Sequence, residues 1–178
     1  MVPAPPPPVL PRLTLVLGGA RSGKSRHAEA LVTANAPPWI YVATAQAFDE
    51  EMTERIAQHR ARRADGWRTL ETTHDLAGLV RSHGNSNTPI LIDCLTLWLS
   101  NVMLADMDVP ATSAELTDAL AAARGPIVAV SNEVGLGIVP DNALARAFRD
   151  AQGRLNQQIA ALADRVILMA AGLPLTLK

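Results

Sequence analysis

The chain is poor in cysteine and in aromatic rings: Cys94 is the one cysteine, and Phe, Trp and Tyr together make up 3% of 178 residues. A single cysteine excludes an internal disulfide and suits a reducing cytosol. Together with four scattered histidines it makes no metal-ligand spacing. Neither sign of charge is in excess, because 16 Lys and Arg face 17 Asp and Glu for a net charge of −1. That balance leaves no electrostatic footprint for a nucleic acid. No apolar run approaches the roughly 18–20 residues that cross a membrane. These absences lead to the expectation of a cytoplasmic protein with no membrane span and no nucleic-acid partner. What is abundant is aliphatic: 48% of the residues are apolar, enough in one domain of this length for a substantial core.

Proline is concentrated at the start, with Pro5 to Pro8 consecutive. Such a segment forms neither a helix nor a ladder-paired strand, and it lacks the basic start and apolar centre of a secretory leader. Residues 1–11 are expected to be a disordered Pro-rich extension, with a single nucleotide-binding catalytic domain over 12–178.

Immediately after the apolar run Leu13-Thr14-Leu15-Val16-Leu17 comes Gly18-Gly19-Ala20-Arg21-Ser22-Gly23-Lys24-Ser25. It fits G-x-x-x-x-G-K-[ST], in which backbone N–H groups turn inward around a phosphate. Lys24 reaches the β and γ phosphates and the Ser25 hydroxyl can ligate Mg²⁺. Apolar positions at Ala28, Leu31 and Val32 have helix spacing, so the loop opens a helix whose N-terminal dipole faces the anion. The expected ligand is a nucleoside triphosphate.

Strand-length apolar runs recur at 12–17, 39–44, 67–71, 89–93, 126–131, 165–170 and 174–177, mostly with helical patterns between them. Asp49 can cap a helix carrying Met52, Ile56 and His59 on one face. Thr112-x-x-Glu115 reads as a capping box. Asp141 reads as the start of the longest helix, with Leu144, Phe148, Ala151, Leu155, Ile159 and Leu162 on one side. Ala171-Gly172 offers only a turn, so the last strand is expected to be antiparallel. The phosphate loop and this alternation predict an α/β P-loop NTPase (RecA-like) three-layer fold. Its sheet is mostly parallel, of about seven strands, with an antiparallel C-terminal edge strand.

Ligands of such sheets sit at the carboxyl ends of the strands. Ala43-Thr44-Ala45 ends the second strand. Ile92-Asp93 ends four apolar residues in an acid, the Walker-B pattern that holds Mg²⁺, although Asp93 can also be read as the cap of the next helix. Ser131 to Pro140 is a long polar and glycine-rich turn that either shapes a pocket or simply connects. Spacing alone leaves His59 as a core histidine or a functional one. Arg60, Arg62 and Arg63 follow it, and nearby positive charge keeps an imidazole neutral and nucleophilic. The same arginines suit either a triphosphate or a solvated helix end.

With these residues the chain resembles the bifunctional adenosylcobinamide kinase / adenosylcobinamide-phosphate guanylyltransferases of cobalamin biosynthesis. The resemblance runs from Leu13 to the C-terminus. It rests on Gly18 to Ser25 with Arg26-His27-Ala28-Glu29, on Tyr41 to Ala45, and on Glu51-Met52-x-x-Arg55-Ile56-x-x-His59-Arg60-x-Arg62-Arg63. Trp67-x-Thr69-x-Glu71, Leu91 to Thr96 with Trp98, and Asn132 to Pro140 complete it. The resemblance implies that ATP or GTP phosphorylates adenosylcobinamide and that GTP then transfers GMP through a histidine to its phosphate, giving adenosylcobinamide-GDP and pyrophosphate. Position for position, the histidine is His59. Nucleotide contacts are implied at Gly18, Gly19, Ala20, Arg21, Ser22, Gly23, Lys24 and Ser25, at Ala43, Thr44 and Ala45, at Arg60, Ala61, Arg62 and Arg63, and at Glu71 and Asp93. Lys24 is expected to have a catalytic role and Ser25 and Asp93 to hold Mg²⁺, and a homotrimer is implied by the resemblance. A plain small-molecule kinase with a structural His59 is the alternative. A GTP-dependent switch lacks its Asn-Lys-x-Asp motif here.

Overall fold

A computed structural model describes residues 9–45 and 65–178. Its first strand, β1 (Leu13–Gly18), is buried along its whole length, as a strand covered on both faces must be. The phosphate loop follows and opens α1 (Lys24–Thr33). Then come β2 (Trp39–Ala43), β3 (Trp67–Glu71), α2 (Leu76–His83), β4 (Ile90–Asp93), α3 (Leu95–Leu104), α4 (Val109–Ala122), β5 (Ile127–Asn132), α5 (Ala143–Leu162), β6 (Arg165–Ala170) and β7 (Leu173–Thr176). The seven strands form one sheet in the order β3-β2-β4-β5-β1-β6-β7. Every pairing is parallel except β6 with β7. Ala171 and Gly172, with φ of 51° and 80°, turn the chain between those two strands. A turn this short permits only antiparallel return.

The period of two in β1 divides the core. Leu13, Leu15 and Leu17 face one layer with residues of α2, α3, α4 and α5, whereas Val16 faces the other with Ala28 and Val32 of α1. Leu10, within the stretch expected to be an extension, is buried in this second cluster.

Three helix expectations are corrected. The helix with Thr112-x-x-Glu115 starts earlier, because Asp108 caps it by accepting a bond from Ala111 N at 2.9 Å, with Pro110 in its first turn. Pro fits the first turn, where its missing N–H costs nothing. The longest helix is capped by Asn142, whose Oδ1 accepts from Ala145 N at 2.8 Å, and not by Asp141. Leu144, expected on its buried side, is exposed. The α2 helix was not anticipated; it is eight residues long, with Asp75 as its cap. The helix expected from Asp49 lies outside the described residues.

Candidate active site

The phosphate loop bridges β1 and α1 with the backbone its sequence requires. Gly23 has φ 93° and Arg21 φ 54°, the left-handed region that favours glycine at the first of these. A Cβ on Gly18 would meet Met169 O and Ser22 Oγ at 2.6 Å, so only glycine fits beneath the loop. No side chain caps α1, which leaves its first-turn N–H groups, at the positive end of the helix dipole, to a ligand. Ser22 Oγ is buried and meets no partner among the described residues. Buried Lys24 places Nζ 2.6 Å from Gly19 O, inside the curl of the loop. An orphaned hydroxyl, a cation and uncapped amides are what a phosphate group would satisfy.

The second wall starts at Asp93, the last residue of β4, in register with Ala43 of β2. Tyr41 OH donates to Asp93 Oδ2 at 3.2 Å. The helix after it is capped at Cys94 with no side-chain bond, so Asp93 is not its cap. Behind this wall lies a tie of main-chain bonds. Buried Thr44 donates through Oγ1 to Cys94 O at 2.7 Å and accepts from Cys94 N at 2.8 Å. Asn101 Nδ2, on α3, donates to Thr44 O at 2.8 Å and to Thr73 O at 3.2 Å. Burial, and next to it the Asp93 charge, push the Cys94 thiol up to about 12. His27 of α1 is held below the usual histidine value by burial and then by Arg165.

The β5 end is tied separately. Asn132 N donates to Thr96 Oγ1 at 2.8 Å, and Asn156 Nδ2 donates to Asn132 O at 3.0 Å. Ser131 Oγ donates to Asn156 Oδ1 at 2.7 Å, and Gln152 Nε2 bridges both.

Gly18 to Ser25, Ala43 to Ala45, Glu71 and Asp93 thus all stand at the carboxyl side of one sheet. Glu71 is the outlier, on edge strand β3. His59 and Arg60 to Arg63 lie outside the described residues. Asn101 was not named from sequence, and Thr96 and Glu133 were named only within motifs, without a role of their own. An asparagine within the apolar run of Leu95 to Leu104 was the available signal, since a polar residue on such a helix is buried only with partners. Among the described residues no three His, Cys, Asp or Glu side chains form a metal cluster. Mg²⁺ keeps much of its coordination for phosphate and water and asks the protein for one or two oxygens. Ser25 and Asp93 carry oxygens of that chemical kind. No described helix is long and apolar enough to cross a membrane. A cavity lined by Val9, Leu10, Asn35, Pro89 and Pro126, among others, lies at the opposite, amino end of the strands.

The profile for cobinamide kinase / cobinamide phosphate guanyltransferase matches residues 14–177. The chain belongs to that family. Its relatives include the bifunctional adenosylcobalamin biosynthesis protein CobP of Pseudomonas aeruginosa, 48% identical over 166 residues that cover 92% of this chain and 96% of that protein. CobU of Escherichia coli, with the same description, is 41% identical across 93% of this chain and 99% of its own length. CobU of Salmonella typhimurium is 42% identical with the same coverage. Among solved structures, the flagellar accessory protein FlaH of Methanocaldococcus jannaschii matches with TM-score 0.54 at 15% identity, covering 96% of this chain and 80% of that one. An ATPase from the type III secretion system of pathogenic bacteria matches with TM-score 0.53 at 14% identity, over 89% and 51%. At such identities the likeness establishes the fold alone. Family membership carries the enzyme class: a kinase and a nucleotidyltransferase of cobalamin biosynthesis.

Proposed function

We propose that this chain, as one catalytic domain over residues 12–178, runs both reactions at a single nucleotide site. ATP or GTP first phosphorylates the aminopropanol hydroxyl of adenosylcobinamide. GTP then donates GMP to His59, and the adenosylcobinamide phosphate takes it up to give adenosylcobinamide-GDP, with pyrophosphate released. The observation that carries this reading is the uncapped start of α1 beneath Gly18 to Ser25, with Lys24 curled into the loop. Backbone amides there cradle the phosphates, and Lys24 neutralises their charge. Ser25 and Asp93 would hold Mg²⁺, which when bound offsets phosphate charge and orients the triphosphate. Ala43, Thr44, Ala45 and Glu71 contact the nucleotide along the rim, and Arg60, Ala61, Arg62 and Arg63 are assigned to the nucleotide with them. A neutral imidazole attacks the α-phosphorus in line, and the cations stabilise the departing pyrophosphate. The protein acts in the cytoplasm as a homotrimer.

The test is labelling with α-³²P-GTP. Wild type should form an acid-labile, base-stable protein–GMP adduct, and His59→Ala should form none while still binding the triphosphate. A folded His59→Ala protein that still transfers GMP would overturn the covalent role of His59, and a wild type that neither forms the adduct nor transfers GMP would leave only the plain-kinase reading.

A further inference from the structure

In the sheet, β5 lies between β1 and β4. Whatever follows Asn132 therefore emerges between the phosphate loop and Asp93. The first residue to do so is Glu133. Its N–H donates to Gly18 O at 3.0 Å, and Gly18 is in register with Asn132. Asn132 is in turn fixed by Thr96 and Asn156, so the Glu133 backbone is anchored to the base of the loop.

The side chain is half-buried, and its Oε1 accepts from Gly135 N at 2.7 Å. A Cβ on Gly135 would come within 2.9 Å of that oxygen. Beyond it Leu136 and Ile138 are 87% and 96% exposed, so the turn that follows the carboxylate is open to solvent.

Three carboxylates stand at or directly after the carboxyl ends of the described strands: Glu71, Asp93 and Glu133. Strands are spaced by about 4.8 Å, which puts their backbones roughly 19, 10 and 5 Å from β1. Asp93 is engaged by Tyr41 and assigned to Mg²⁺, and Glu71 is too distant. Of the three, Glu133 is the one whose backbone is bonded to the phosphate loop, through Gly18.

We propose that Glu133 is the general base of the kinase step, an assignment that rests on the two-reaction reading above. Its carboxylate takes the proton of the acceptor hydroxyl. The oxygen's electron pair forms the new O–P bond at the γ-phosphorus. The bond from that phosphorus to the β–γ bridging oxygen breaks, and its pair leaves on the nucleoside diphosphate. The proton on Glu133 passes to water after product departs. The second reaction has no such need, because its acceptor is a phosphate already ionised near neutral pH.

The test uses the full chain and assays the half-reactions separately: γ-phosphoryl transfer to cobinamide, and GMP transfer to cobinamide phosphate made beforehand. E133Q keeps an oxygen that can accept the Gly135 bond, so a purely structural role survives the change. The expected result is a kinase kcat lowered about 10²–10⁴-fold, with KM for the triphosphate within roughly threefold of wild type and a far smaller loss of GMP transfer. A kinase kcat within about threefold of wild type overturns the assignment, as does an equal loss of both reactions. Should E133Q not fold, E133D carries the test, since it retains a proton acceptor and must exceed E133A in kinase rate by at least about tenfold. Wild type that fails to phosphorylate cobinamide would instead sink the two-reaction reading, which separates the two failures.

Discussion

Beneath Asp93 the rim is tied by Thr44 and Asn101, which bind main-chain groups of three segments, whereas beneath Glu133 it is tied by Ser131, Gln152 and Asn156, which bind mostly one another. In the first tie Thr44 Oγ1 both donates to and accepts from Cys94, and Asn101 Nδ2 reaches two carbonyls. In the second, of these three side chains Asn156 bonds the main chain, at Asn132 O, and buried Gln152 Oε1 has no partner among the described residues. Removing a side chain from the first tie orphans peptide groups that cannot move. The second already carries one unsatisfied acceptor, so its loss removes a penalty along with the bonds. The Asp93 side of the site is therefore expected to be stiff, and the Glu133 side more adjustable.

Asn101→Ala is expected to have the largest effect on stability. Orphaning the buried Thr44 carbonyl and the half-buried Thr73 carbonyl, and leaving a gap, should cost about 2–4 kcal/mol, read as a drop in melting temperature of several degrees. The same variant should expose Cys94, whose amide is bonded to Thr44. In wild type the thiol is held up to about 12, so it is neutral at pH 8 and should alkylate slowly. A neutral folded thiol also gives stability that is present below pH 9, where the unfolded thiol is protonated too, and lost as pH rises towards 12. Unchanged melting and alkylation in Asn101→Ala would erase the distinction between the two ties.

Asp93→Asn sharpens the contrast from the chemical side. It keeps the shape and the Tyr41 partner, so folding should hold. The Mg²⁺ needed for half-maximal rate should rise by about ten- to a hundredfold in both reactions. An unaltered metal titration would take Asp93 out of the metal site. The smallest effect is expected for Gln152→Met, which removes the orphaned Oε1 and fills a similar volume. Its stability should change by less than about 1 kcal/mol in either direction. A loss as large as that of Asn101→Ala would show that the second tie is as stiff as the first.

Much of this protein was legible from local pattern. Every expected strand is present within a residue or two, because apolar runs of five or six bounded by turn residues have few other uses. The antiparallel edge followed from a connection too short to cross over. Cap positions were less secure: Asp108 was passed over for Thr112 and Asp141 was chosen before Asn142. Neighbouring Asp, Asn and Thr cap almost equally well, and the packing of the helix decides among them.

The phosphate loop was set by the sequence alone, since glycine backbones and a helix start act over eight consecutive residues. The tertiary structure alone decided which strands became neighbours. The insertion of β5 between β1 and β4 brings Glu133 to Gly18, and the sheet joins Thr44, Thr73 and Asn101 across 57 positions of chain. Such meetings depend on how whole layers bury their apolar faces, and no short window of sequence contains that information.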